Sequence, residues 1–185
     1  MPPIDALPAF DGDAHTLHVL IETPKGSRNK FKYDERRALF VLDGVLPAGS
    51  AFPYDFGFVP GTSGEDGDPL DVLVLMDEPV FCGCLVPARL IGAIEAEQTE
   101  RDGTTMRNDR LIAVATVSHA QEELQALSDL SDVLVQEIEH FFASYNDARG
   151  KTFTPLARSG PERARHLVEE GQRRAGNRDG QNPVT

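Results

Sequence analysis

Residues 65–75 read Glu-Asp-Gly-Asp-Pro-Leu-Asp-Val-Leu-Val-Leu, so Asp66, Asp68 and Asp71 fall within six positions, just ahead of an apolar run. Gly67 permits a tight turn, and Pro69 fixes the backbone between the second and third carboxylates. Such a turn can aim several carboxylates at one point. Crowded carboxylates repel, and a hard cation that prefers oxygen ligands relieves the repulsion. A solvated acidic loop is the other reading, and the spacing alone leaves both open. An EF-hand is a poorer match, because its sixth position requires glycine where this chain has Asp71, and because a strand follows instead of a helix.

A cationic counterpart lies upstream. Lys25, Arg28, Lys30, Lys32, Arg36 and Arg37 form an island of positive charge in a chain whose net charge is −12. Lys30 and Lys32 are two apart, so on a strand both point to one face. The five histidines have no metal-ligand spacing. Cys82 and Cys84 are too close for an unstrained disulfide and too few for a zinc site, which suits reduced thiols in a cytoplasmic protein.

The elements that must position these groups are mostly short strands. Residues 16–22 are rich in β-branched and apolar types and end at the turn signals Pro24 and Gly26. Further strands are expected over 30–34, 38–42, 72–75, 85–95 and 111–117, with a charged hairpin over 99–107. Residues 44–61, dense in glycine and proline, suit loops and one short strand. Helical spacing appears later: Leu127, Leu130, Leu134, Ile138, Phe141 and Tyr145 recur every three or four positions, giving a helix over 121–145 with a break at Ser131. A shorter helix is expected from Pro161 to Arg174. The pattern predicts an α+β domain on a small, strongly bent sheet, with one domain over 1–175 and a flexible tail over 176–185.

With 185 residues and 40% hydrophobic content, the chain can bury a full core. Its acidity opposes nucleic acid as the main partner, since phosphate backbones require clustered lysine and arginine. An anionic small molecule remains compatible when divalent cations screen the carboxylates. The first thirteen residues lack a basic, apolar leader pattern, and no stretch approaches twenty apolar residues, so neither a signal peptide nor a membrane partner is expected.

The acidic string, together with Ile21-Glu22-Thr23-Pro24-Lys25-Gly26-Ser27 and Phe52-Pro53-Tyr54-Asp55-Phe56-Gly57-Phe58, resembles the signature of the soluble family I inorganic pyrophosphatases. The resemblance runs from Val19 to Tyr145. It implies an OB-type five-stranded barrel flanked by one long and one shorter helix, hydrolysis of inorganic diphosphate, Mg²⁺ as cofactor, cytoplasmic location and a homo-oligomer, with a hexamer foremost. It further implies Asp66, Asp71 and Glu22 as metal ligands. Asp68 would be both a ligand and the carboxylate that deprotonates the attacking water, and Lys30, Arg110 and Tyr145 would bind phosphate. This division of labour suits phosphoryl transfer, in which positioning and charge neutralisation dominate.

Several positions depart from the family pattern. A phosphate-binding arginine is replaced by Gly44, a tyrosine by Phe56, and a lysine after Tyr145 by Asn146. Arg110 stands for a lysine and keeps a planar fork for phosphate. A ligand aspartate falls at Asn108, and a second family aspartate falls near Glu97 or Gln98. Asp109 adjoins Asn108, but strand alternation points it away from Arg110 unless a bulge intervenes. These losses leave two alternatives beside diphosphatase: hydrolysis of an organic, nucleotide-like phosphoanhydride, or a non-catalytic phosphate- or metal-binding relative.

Overall fold

The computed structural model describes residues 4, 7–12 and 15–179. Its strands are β1 (Leu17–Thr23), β2 (Asn29–Asp34), β3 (Leu39–Val45), β4 (Asp55–Val59), β5 (Leu70–Leu75), β6 (Leu85–Thr99), β7 (Thr105–Arg107), β8 (Arg110–Ala115) and β9 (Thr152–Ser159), with helices α1 (Asp132–Asp147) and α2 (Pro161–Asp179). Pairing runs β1-β4-β5-β8-β6, and β6 pairs back onto β1, so five strands close a ring. This is the expected α+β barrel. Only β5 and β8 are parallel within it.

The ring strands are apolar on both faces because both faces are covered. Val72 and Val74 join one core with Leu167 and Val168 of α2. Leu73 and Leu75 join another with Val135, Ile138 and Phe142 of α1. Where β4 crosses β1, only glycine fits: a Cβ on Gly57 would lie 2.0 Å from the carbonyl oxygen of Leu20. β2 and β3 form a separate two-stranded sheet beside the ring.

Ser131 caps α1, its hydroxyl accepting the Leu134 N–H at 3.3 Å. The helical spacing therefore holds only from Asp132 onward. Residues 127–129 form a single 3-10 turn, in which Asp129 accepts the N–H groups of Gln125 and Ala126. The last helix is the longer one, at 19 residues against 16. It runs through 176–179, past the boundary expected at residue 175, and 180–185 of that expected tail lie outside the described residues. No strand is expected from the sequence at β9, which pairs with β6 from Thr152 opposite Thr99 to Ser159 opposite Ala93. Among the described residues no helix is long and apolar enough to cross a membrane.

Candidate active site

The acidic turn is locked before it reaches β5. Gly67 adopts φ +89, which a side chain would strain. The Gly64 N–H donates to the Asp68 carbonyl at 2.7 Å, and the Asp68 N–H donates to Asp66 Oδ1 at 3.0 Å. The Arg107 N–H donates to Glu65 Oε2 at 3.0 Å. The last residue of the 99–107 hairpin thereby braces the turn.

The turn forms one wall of a cleft of about 720 Å³. Asp66, Asp68 and Asp71 line it with Glu22 at the end of β1, Lys30 and Lys32 on β2, Arg110 at the start of β8 and Tyr145 near the end of α1. Asp66, Asp68, Asp71, Glu22, Lys30, Arg110 and Tyr145 thus border one space, whereas Lys25 and Arg28 of the cationic island do not. Lys30 and Lys32 do share a face. Lys30 Nζ lies 2.9 Å from Glu22 Oε2, and Lys32 Nζ lies 2.8 Å from Asp68 Oδ2. Arg110, almost wholly buried, places NH1 2.8 Å from Asp71 Oδ2 and rests its guanidinium over Phe142 and Phe153.

Electrostatics reflect this crowding. Burial pushes the Glu22 carboxyl above its ordinary value, despite the opposing charge of Lys30 and the Tyr33 N–H on its Oε1. Asp66 is exposed, yet the protein packed around it pushes its carboxyl up, and the charges of Asp71 and Asp68 add to the rise while the Asp68 N–H opposes it. Burial tends to lower the Lys32 ammonium, but its hydrogen bond and charge pairing with Asp68 outweigh this and raise it.

The altered positions are also resolved. Asn108 and Gln98 both border the cleft: the Asn108 amide donates to Gln98 Oε1 at 3.1 Å, while the Asn108 Oδ1 accepts from Arg110 and the Gln98 amide donates to Glu100. Asp109 does not enter. Its Oδ1 accepts the Ala96 N–H at 2.9 Å and pairs with Arg107 at 2.8 Å beside a separate hollow, as strand alternation predicts. Phe56 carries Lys30 over its ring, 4.5 Å from the centroid. Asn146 turns into its own helix, donating to the Phe142 carbonyl at 2.8 Å. Two cleft cations escaped sequence reasoning, Arg149 and Lys151, which follow α1. The one available signal was their position just beyond Tyr145.

Oxygen donors of this kind suit a hard divalent cation. Among the described residues, however, no three acidic, histidine or cysteine side chains surround one point closely enough to form a closed cage. The residues fit an ion such as Mg²⁺, which keeps several waters and binds through one or two carboxylates plus substrate phosphates.

The sequence model of the family described as inorganic pyrophosphatase matches residues 19–176. The chain belongs to the inorganic pyrophosphatase family. It is 38% identical over 157 residues to the inorganic pyrophosphatase of Synechocystis sp., covering 85% of this chain and 90% of that one. It is 43% identical over 129 residues to that of Streptomyces coelicolor, covering 70% and 76%. The crystal structure of inorganic pyrophosphatase from Thermus thermophilus superimposes with a TM-score of 0.84 at 32% identity, covering 94% of this chain and 99% of that one. The three relatives named above are each described as an inorganic pyrophosphatase, which favours neither the organic-substrate nor the non-catalytic alternative.

Proposed function

We propose that this chain hydrolyses inorganic diphosphate to two orthophosphates with Mg²⁺ as its divalent cofactor. The observation that carries the proposal is the meeting of three aspartates with Lys30, Lys32 and Arg110 across one cleft. An acidic wall suits cations and a basic wall suits phosphate, so a metal–diphosphate complex matches both.

Asp66 and Asp71 supply oxygen ligands, with Glu22 behind them. When bound, the divalent ions lower the pKa of a water and neutralise charge on the phosphates. Lys32 holds Oδ2 of Asp68, and the other oxygen of that carboxylate takes the proton of the attacking water. The water oxygen bonds to one phosphorus, the bond from that phosphorus to the bridging oxygen breaks, and the second orthophosphate leaves with the bridging oxygen. Lys30, Arg110 and Tyr145 bind the phosphoryl oxygens throughout, and Arg110 is preset by its two aromatic neighbours. Cytoplasmic location and assembly into a homo-oligomer, a hexamer foremost, belong to the same proposal. Leu39, Leu42 and Val45 stand exposed along β3 and offer apolar surface for such assembly.

The test measures orthophosphate release from diphosphate and Mg²⁺ by the wild type and by Asp68→Asn. Loss of a general base predicts a fall in turnover of about 10²–10⁴-fold. The melting temperature should barely move, because the Lys32–Asp68 pair is exposed and such pairs contribute about 0–1 kcal/mol. Equal turnover in the two proteins would remove Asp68 from the mechanism.

A further inference from the structure

Arg149 lines the cleft and is poorly matched to its own carboxylate. Lys30, Lys32, Arg110 and Lys151 meet acidic partners at 2.8–2.9 Å. Arg149 differs, because NH1 and NH2 both reach the same oxygen, Asp43 Oδ2, and each stands 3.2 Å away. A strong guanidinium–carboxylate pair uses two parallel bonds of about 2.7–2.9 Å to two oxygens. The Arg149 fork is only half used.

Its placement is nevertheless fixed. The guanidinium sits over the Tyr145 ring, 5.4 Å from the centroid, and NH1 also donates to the Tyr145 hydroxyl. Behind it, Arg101 of the 99–107 hairpin donates to the Arg149 carbonyl at 2.8 Å, and Lys151 ties the same loop to Glu100 at 2.8 Å. Arg149 borders both the main cleft and an adjoining hollow of about 300 Å³ beside Gly44. Gly44 faces Lys30 across the β2–β3 pairing, and a Cβ built on it meets nothing within 4 Å. An anion can therefore approach Arg149 from the side where β3 presents no side chain.

We infer that Arg149 is a phosphate-binding residue of this active site, held in reserve by Asp43 and transferred to a phosphoryl group of diphosphate when substrate enters. A tetrahedral phosphate offers the several oxygens that the single Asp43 oxygen does not, so the exchange completes the fork. The inference rests on the diphosphate reading, and the experiment separates the two.

The full chain is compared with Arg149→Ala, Arg149→Lys and Asp43→Asn. KM and kcat are measured with diphosphate and Mg²⁺, and calorimetry measures binding of non-hydrolysable imidodiphosphate with Mg²⁺. A charge-assisted contact predicts that Arg149→Ala raises KM and weakens imidodiphosphate binding by about 10–100-fold. Arg149→Lys, which keeps charge but loses the fork, recovers part of this. Asp43→Asn removes the competing carboxylate and tightens binding, whereas a purely structural Arg149–Asp43 brace predicts that it weakens binding or changes nothing. Unchanged binding in Arg149→Ala overturns the inference while leaving wild-type hydrolysis intact. Wild-type protein that binds imidodiphosphate through Arg149 but releases no orthophosphate sustains the inference and sinks the hydrolytic reading instead.

Discussion

Two groups of aspartates in this chain behave in opposite ways. Asp55 is buried, and its two oxygens accept the Lys25 and Val80 N–H groups at 2.7 and 2.9 Å. Asp77 accepts the Ser118 hydroxyl at 2.6 Å and the N–H groups of His119 and Ala120 at 3.0 Å each. Both pin together segments far apart in sequence, using backbone donors that cannot leave. Asp68 and Asp71 instead meet the side-chain cations Lys32 and Arg110. Ammonium and guanidinium groups can change partners, whereas backbone amides in turns cannot. A carboxylate saturated by amides belongs to the fold, and one facing exchangeable cations is available for chemistry.

Asp71 lies between the two groups, because its partner Arg110 is nearly buried while Asp71 itself is 26% exposed. Asp71→Asn should therefore damage both activity and stability, the largest combined effect expected. Loss of a preorganised charge predicts a fall in kcat of about 10²–10³-fold. Leaving Arg110 without its counter-charge predicts a stability loss on the order of 2 kcal/mol, below the cost for a fully buried pair. Steady-state kinetics and urea unfolding on one preparation check both. A variant that loses activity with no change in unfolding would move Asp71 into the exchangeable group alone.

Asp55→Ala should show the reverse pattern. Each stranded amide predicts a loss on the order of 1–3 kcal/mol, with turnover per folded molecule unchanged. Urea unfolding gives the first quantity, and activity normalised to folded protein gives the second. A comparable fall in normalised turnover would show that the Lys25 and Val80 segments position the cleft, and the division between the two groups would blur.

The same division explains what the sequence made legible. β1, β5 and β8 each contain an apolar run buried on both faces (19–21, 72–75 and 111–115), so composition alone marks them. β9 carries Pro155 in its middle and buries only Phe153, so neither alternation nor propensity announces it; its pairing with β6 and a register shift beside Ala96 hold it in place. Residues 121–131 look helical by leucine spacing, but Asp129 captures the Gln125 and Ala126 amides in a short turn and Ser131 caps the helix, so α1 begins only at Asp132. In the site, the acidic turn was legible because its carboxylates are neighbours in the chain. Arg149 and Lys151 were not, since their placement depends on Arg101 and Glu100 reaching across from the hairpin. Asp55 and Asp77 were equally silent, because an aspartate that caps amides and one that binds metal look identical in sequence.

The smallest predicted effect concerns Asp77, and it shows only in acid. Hydrogen bonds from Ser118, His119 and Ala120 hold its carboxyl below the ordinary value of 3.8. The folded state therefore binds fewer protons than the unfolded state between that lowered value and 3.8, and stability falls as pH falls through this window. The contribution is fully present above 3.8 and gone once both states are protonated. Asp77→Asn cannot titrate, so its melting temperature should decline less steeply than that of the wild type as pH falls below about 4. Because Asp77 stands outside the cleft, turnover of diphosphate at neutral pH should be the same in both proteins. Parallel acid slopes would mean that the three donors hold the neutral carboxyl as well as the charged one, leaving Asp77 without a charge-dependent part in joining the two segments.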